Sequence, residues 1–177
     1  MKVHATSVVA VRKDGCVAMA SDGQVSVEHT IFKSGARKVQ RLYEGRVLAG
    51  FAGSAADAIT LFEKFEGKLD EYKGNMQRAA RELVREWRTD RVLRHLEALL
   101  IVADTEHVYL VSGAGDLIEP DEDVVGIGTG GAYAQAAGLA LVQHSALSAE
   151  EIAREAIRIA SRICVFTNDQ VTVETLP

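Results

Sequence analysis

The chain has 177 residues, 47% hydrophobic and 25% charged, a balance that suits one folded domain with a sizeable core. Its 20 basic and 25 acidic side chains give a formal net charge of −5, which argues against a nucleic-acid surface as the main purpose. No apolar run reaches the length of a membrane span, and Met1-Lys2-Val3-His4 lacks the apolar region of a secretory signal behind it. The two cysteines, Cys16 and Cys164, make neither a disulfide framework nor a metal cluster. Both sit in apolar runs and read as small core residues, with the cytosol as the default compartment.

Thr6 opens a β-branched run, Ser7 to Val11, and Lys13-Asp14-Gly15 signals a turn. Cys16 to Ala20 is the return run, ending in Ser21-Asp22-Gly23-Gln24. This pattern predicts a hairpin whose outer ends put Thr6 and Asp22 side by side. Val25 to Phe32 reads as one more β-like run, broken at Ser34-Gly35. Ala36 to Leu42 alternates apolar and polar residues, Glu44-Gly45 turns, and Arg46 to Gly50 returns, so a second hairpin carries Lys38 on one strand. Taken alone, Lys38 reads as a solvated strand lysine.

Ser54 and Asp57 read as a capping box ahead of a helix whose Ala55, Ala58, Phe62, Phe65 and Leu69 share one face. A second helix starts near Asn75 and carries Met76, Ala80, Leu83, Val84 and Trp87. Its Arg78, Arg81, Arg85 and Arg88 are mixed with Glu82 and Glu86, the mark of a solvated helix surface rather than a nucleic-acid face. Ala98 to Ala103 is a buried strand, His107 to Ser112 pairs with it, and Val124 to Gly128 is another. Gly131 to Val142 predicts a third helix. Ser148 and Glu151 cap a fourth, with Ile152, Ala156, Ile159, Ala160 and Ile163 inward, and Val171 to Val173 is the last strand. Locally pairing strands with consecutive helix pairs predict an α+β fold, and pattern alone leaves the layer order open.

A threonine hydroxyl is a poor nucleophile without a base beside it, and an N-terminal threonine carries one in its own α-amine. Removal of Met1 to Ala5 would create that arrangement at Thr6. Other chemistries find less support. Gly126-Ile127-Gly128-Thr129-Gly130-Gly131 matches the dinucleotide fingerprint, but a helix rather than a second parallel strand follows its helix. A loop passing close to Thr6 is the better reading. No G-x-S-x-G elbow occurs, and His4, His29, His95, His107 and His144 lack metal-ligand spacing.

The runs from His4 to Arg12, Ser21-Asp22-Gly23-Gln24, Ala36-Arg37-Lys38-Val39, Val47 to Ser54 and Glu86 to Arg91 together resemble the HslV (ClpQ) peptidase family, bacterial relatives of the proteasome β-subunit. The likeness runs from about Thr6 to the C-terminus. It implies an N-terminal-nucleophile hydrolase, a four-layer α/β/β/α sandwich over residues 6–177, preceded by a propeptide of residues 1–5. It further implies Thr6 as nucleophile and Lys38 held cationic by Asp22. The Gly50 N–H would face the oxyanion, at a position where a side chain would crowd the substrate. Thr129 would stand for the family's usual serine in support of the nucleophile. The carbonyls of Ser161, Cys164 and Thr167 would bind a monovalent cation such as sodium, with glycine usual at position 161. The implied assembly is a dodecamer of two stacked six-membered rings in the cytoplasm. An AAA+ ATPase, HslU, would consume the ATP and feed in unfolded protein, with no nucleic acid or membrane involved. Departures at Ser21, Thr129 and Ser161 leave a catalytically silent ring homologue as one rival, and a stand-alone amidase as another.

Overall fold

The computed structural model describes residues 3–4, 6–53, 55–89, 98–112 and 114–177. β2 (Ser7–Lys13) and β3 (Cys16–Ser21) form the predicted hairpin, with Val8 opposite Ser21. β11 (Val124–Gly128) pairs with β2 and β12 (Thr172–Leu176) with β3, giving a sheet ordered β11-β2-β3-β12. A second sheet is ordered β10 (Leu117–Ile118), β9 (Val108–Ser112), β8 (Leu99–Ala103), β7 (Val47–Ala52) and β6 (Val39–Leu42).

Side-chain alternation along these strands sets the layers. Val9, Val11, Ala18 and Ala20 face α3 (Gly131–His144) and α4 (Ala149–Ser161). Val8, Ala10, Val17 and Met19 face the other sheet, where they meet Leu48, Ile101 and Ala103. Val47, Ala49, Phe51, Leu100 and Val102 point the opposite way, onto Leu61, Phe65, Leu83 and Trp87 of α1 (Ala55–Glu71) and α2 (Met76–Thr89). The central strands are therefore buried on both faces, which is why they read as continuous apolar runs. Each fully buried large side chain, Phe65 and Trp87 among them, contributes about 1.5–3 kcal/mol of transfer free energy. The result is the α/β/β/α sandwich.

Several local expectations need correction. Val25 to Phe32 is not one strand but two, β4 (Val25–Val27) and β5 (Thr30–Lys33), turning at Glu28 with φ 53°. Val3–His4 forms β1, which pairs with β4 to make a third, three-stranded sheet. Cys16 is exposed at the hairpin turn, while Cys164 is buried. The Ser148–Glu151 capping box is present, but α4 stops at Ser161, so Ile163 leaves the helical period and is exposed. Ile157 is buried in its stead. The predicted cap at Ser54, the Asp90-Arg91 end of one motif and His95 lie outside the described residues. Among the described residues no helix is long and apolar enough to cross a membrane.

Candidate active site

Thr6 lies just ahead of β2, fully buried, with φ 136°. That is a costly backbone conformation for a β-branched residue. Its Oγ1 is buried and has no hydrogen-bond partner among the described residues. Its carbonyl accepts from the Thr129 N–H at 2.9 Å and from Thr129 Oγ1 at 3.3 Å. The glycine-rich loop thus closes over Thr6 from the end of β11, and Gly130 N–H donates to Ser7 Oγ at 2.9 Å. In the uncut chain the Thr129 hydroxyl serves the carbonyl of Thr6 rather than its nitrogen.

Asp22 follows β3 and is fully buried, so its carboxylate needs donors on both oxygens. Oδ1 accepts from Ser7 N–H at 2.8 Å and from Lys38 Nζ at 2.7 Å. Oδ2 accepts from Gln24 N–H at 2.9 Å and Asn168 N–H at 3.3 Å. Lys38, immediately before β6, is not the solvated lysine its strand pattern suggests; it is 2% exposed. Its ammonium also donates to Gln24 O at 2.6 Å. Burial lowers the Lys38 pKa below the ordinary lysine value, and the Asp22 carboxylate offsets part of that fall. A lysine ammonium has three donors, so two bonds leave one unassigned.

Gly50 is not brought to Thr6 in the expected way. It lies within β7, with Val39 as register partner on one side and Ile101 on the other. Phe51 N–H donates to Lys38 O, and successive N–H groups point to opposite sides of a strand, so the Gly50 N–H points at β8. A Cβ at Gly50 would meet Met19 Sδ and Val8 Cγ1 at 2.7 Å each. The packing of sheet on sheet by itself calls for glycine there. The end of β7 comes closer: a Cβ on Gly128, which would press on Thr6 O, would lie 3.3 Å from Ala52 Cβ.

Ser161, Cys164 and Thr167 lie on the turn that closes α4. Among the described residues no group of three His, Cys, Asp or Glu side chains is placed to hold a metal ion, so only main-chain oxygens are in question. Thr167 N–H donates to Cys164 O at 3.1 Å, and a carbonyl has a second lone pair to offer. An uncharged carbonyl set of this kind fits a hard monovalent cation. The Thr167 hydroxyl also touches the site, sharing a 2.6 Å hydrogen bond with Ser7 Oγ. Sequence reasoning missed Ser7, Gln24 and Asn168. The first two lie inside the quoted motifs, but Asn168 offered only a turn-like Asn-Asp pair.

Comparison with known proteins supplies the family. The sequence model of the proteasome subunit family matches residues 2–176. The chain is 59% identical to the ATP-dependent protease subunit HslV of Desulfovibrio desulfuricans, over 99% of this chain and 100% of that one. It is 57% identical to the subunit of the same name from Staphylococcus carnosus, over 98% of both. Among solved structures, eukaryotic HslV from Trypanosoma brucei superposes with a TM-score of 0.91 at 47% identity, over 97% of this chain and 99% of that one. Thiobacillus denitrificans BPH, at 21% identity and a TM-score of 0.76 over 97% of each chain, shares the fold. The chain belongs to the proteasome subunit family, in its HslV branch of protease subunits.

Proposed function

We propose that this chain is a threonine endopeptidase subunit whose nucleophile is Thr6, freed by removal of residues 1–5 from a single domain spanning 6–177. The observation that carries this reading is a buried Thr6 hydroxyl without a partner among the described residues, next to a buried Asp22–Lys38 ion pair whose ammonium keeps one donor unassigned. An orphaned buried hydroxyl costs about 1–3 kcal/mol. Ser21 Oγ, Trp87 Nε1 and Tyr109 Oη are orphaned among the described residues as well. What sets Thr6 apart is its positive φ at the head of the strand whose Ser7 N–H binds Asp22.

Thr6 Oγ attacks a peptide carbonyl while the free α-amine takes its proton. The Lys38 cation favours the developing alkoxide, and a main-chain N–H near the end of β7 receives the oxyanion. The α-ammonium returns its proton to the leaving amine, and water then hydrolyses the ester on Thr6. Self-cleavage uses the same oxygen on the Ala5 carbonyl. The positive φ at Thr6 favours it, because cutting the Ala5–Thr6 bond releases that dihedral. Cutting also vacates the β4 edge on which Val3–His4 pairs, leaving a strand edge to which an extended peptide can add. That supports an unfolded polypeptide as substrate.

Ser161, Cys164 and Thr167 would hold sodium through their carbonyls, an ion that would stiffen the turn following α4. The curated relatives are named ATP-dependent protease subunits, which supports an ATPase partner and an assembly of several subunits. A partner of the AAA+ HslU type, two stacked hexamers and a cytoplasmic site are what the family resemblance adds. ATP is spent by the partner and not by this chain.

The test compares the parent chain with Thr6→Ala and Thr6→Ser by intact mass and by casein hydrolysis, with and without the partner and ATP. The parent should begin at Thr6 and need the partner for its full rate. Thr6→Ala should keep the extension and hydrolyse nothing, as the silent-homologue reading predicts of the parent too, while Thr6→Ser keeps some of both. Full activity with Met1 or Lys2 still at the N-terminus overturns the Thr6 mechanism; equal rates without the partner overturn the ATPase dependence.

A further inference from the structure

One side chain ties together the loops that present Asp22 and Lys38, and it lies far from both in sequence. Asn168 follows the turn after α4. Its N–H reaches Asp22 Oδ2 at 3.3 Å, across 146 positions of chain. Its side-chain Oδ1 accepts from Gly23 N–H at 3.0 Å and from Gln170 N–H at 3.2 Å. Its Nδ2 donates to Ser34 O at 2.9 Å. Gly23 is the residue after Asp22, and Ser34 begins the segment that runs into Lys38.

These two segments already press together. Ala36 N–H donates to Gly23 O at 2.9 Å, and a Cβ on Gly23 would collide with Ser34 O, so only glycine lets the loops meet. Two short loops in contact can still slide along each other. A third body bonded to both, through a planar amide with an acceptor at one end and a donor at the other, removes that freedom. We propose that Asn168 is the positioning residue of this site, locking the Asp22 loop and the Lys38 loop in one register. It touches neither Thr6 nor the Lys38 ammonium, so it acts through Asp22. The inference rests on the Thr6 reading given above.

The amide's two ends make the proposal testable. Asn168→Ala removes both side-chain links and keeps the backbone donor to Asp22. Asn168→Asp keeps an acceptor for Gly23 and Gln170, but it turns the donor end into a carboxylate oxygen facing Ser34 O and adds a negative charge near Asp22. With the complete assembly and a short peptide substrate, kcat and KM are measured separately, at matched folded fraction. The loops hold chemistry rather than substrate, so Asn168→Ala should lower kcat by about tenfold with KM nearly unchanged. Asn168→Asp should lower kcat as well at unchanged KM, because its second oxygen repels the Ser34 carbonyl that the amide holds. A kcat for Asn168→Ala within about twofold of the parent overturns the proposal. If Asn168→Ala does not fold, Asn168→Asp decides: a lowered kcat at parent KM supports the proposal, and parent kcat overturns it. Failure of the underlying reading shows differently, as hydrolysis that survives Thr6→Ala.

Discussion

Lys38–Asp22 and Arg46–Glu44 are ion pairs of nearly equal length, 2.7 and 2.6 Å, set in opposite surroundings. The side chains of the first are 3% and 0% exposed, those of the second 67% and 72%. In water the second pair gains little, because solvent screens it and two long side chains must be held still. In the interior the first pair bears a desolvation cost that its mutual attraction need not recover. The buried pair is therefore not explained by stability. Its position between the Thr6 strand and the second hairpin makes sense as chemistry retained at a structural cost.

The largest effect should come from breaking the buried pair on one side. Lys38→Ala leaves the Asp22 carboxylate buried without its cation, and should cost on the order of 3–5 kcal/mol in denaturant unfolding along with all hydrolysis. The double change Asp22→Asn with Lys38→Met removes both charges and keeps much of the volume. It should restore only part of the stability, because the asparagine Nδ2 must face a backbone N–H that the carboxylate accepted, and none of the activity. Recovery of activity along with stability would mean that the pair is only a packing device.

Protonation offers a gentler way to break the same pair. Burial lowers the Lys38 pKa, so the folded chain loses this cation at a lower pH than an exposed lysine would. Chemistry that needs the cation should therefore fail on the alkaline side before the range in which free lysines titrate. A pH profile of kcat/KM with intact folding checks it. Activity that persists through that range removes the cation from the mechanism.

Thr129 is the next smaller step. Its hydroxyl reaches the Thr6 carbonyl at 3.3 Å, a neutral and rather long hydrogen bond backed by the Thr129 N–H at 2.9 Å. Loss of one such bond costs about 0.5–1.5 kcal/mol, so Thr129→Val should slow turnover by up to about tenfold and Thr129→Ser should stay near the parent. Parent turnover in Thr129→Val reduces the loop to a packing turn.

The central strands of the sandwich were legible because they are buried on both faces, whereas their layer order came from the family resemblance. The run Leu99–Ala103 is apolar throughout, so no surface side chain interrupts the signal. The β4–β5 hairpin was illegible for the opposite reason. All four residues of β5 are exposed, and the turn is made by Glu28 in a left-handed conformation that glycine or asparagine would have announced. At the site, Thr6, Asp22 and Lys38 stood in recognisable motifs, but burial of Lys38 cannot be read from an alternating strand pattern. The direction of the Gly50 N–H was not legible, because residue type does not reveal which side of a strand an N–H faces. Asn168 reaches Gly23 and Ser34 across 145 and 134 positions, and a contact that long leaves no local trace.

The smallest predicted effect returns to the exposed pair. Arg46 lies 5.5 Å from the Tyr43 ring centroid as well as against Glu44, so Arg46→Ala removes a salt bridge and a cation–π contact together. Both are solvent-exposed, and each is worth at most about 1 kcal/mol. The expected shift in unfolding free energy is a fraction of that, and the salt-bridge share should fade as ionic strength rises and the Debye length contracts. Casein hydrolysis should not change. Unfolding curves of parent and Arg46→Ala at low and high salt make the measurement. If the exposed pair proved as costly to break as Lys38–Asp22, burial would no longer distinguish them, and the case for a buried pair kept for catalysis would fall with it.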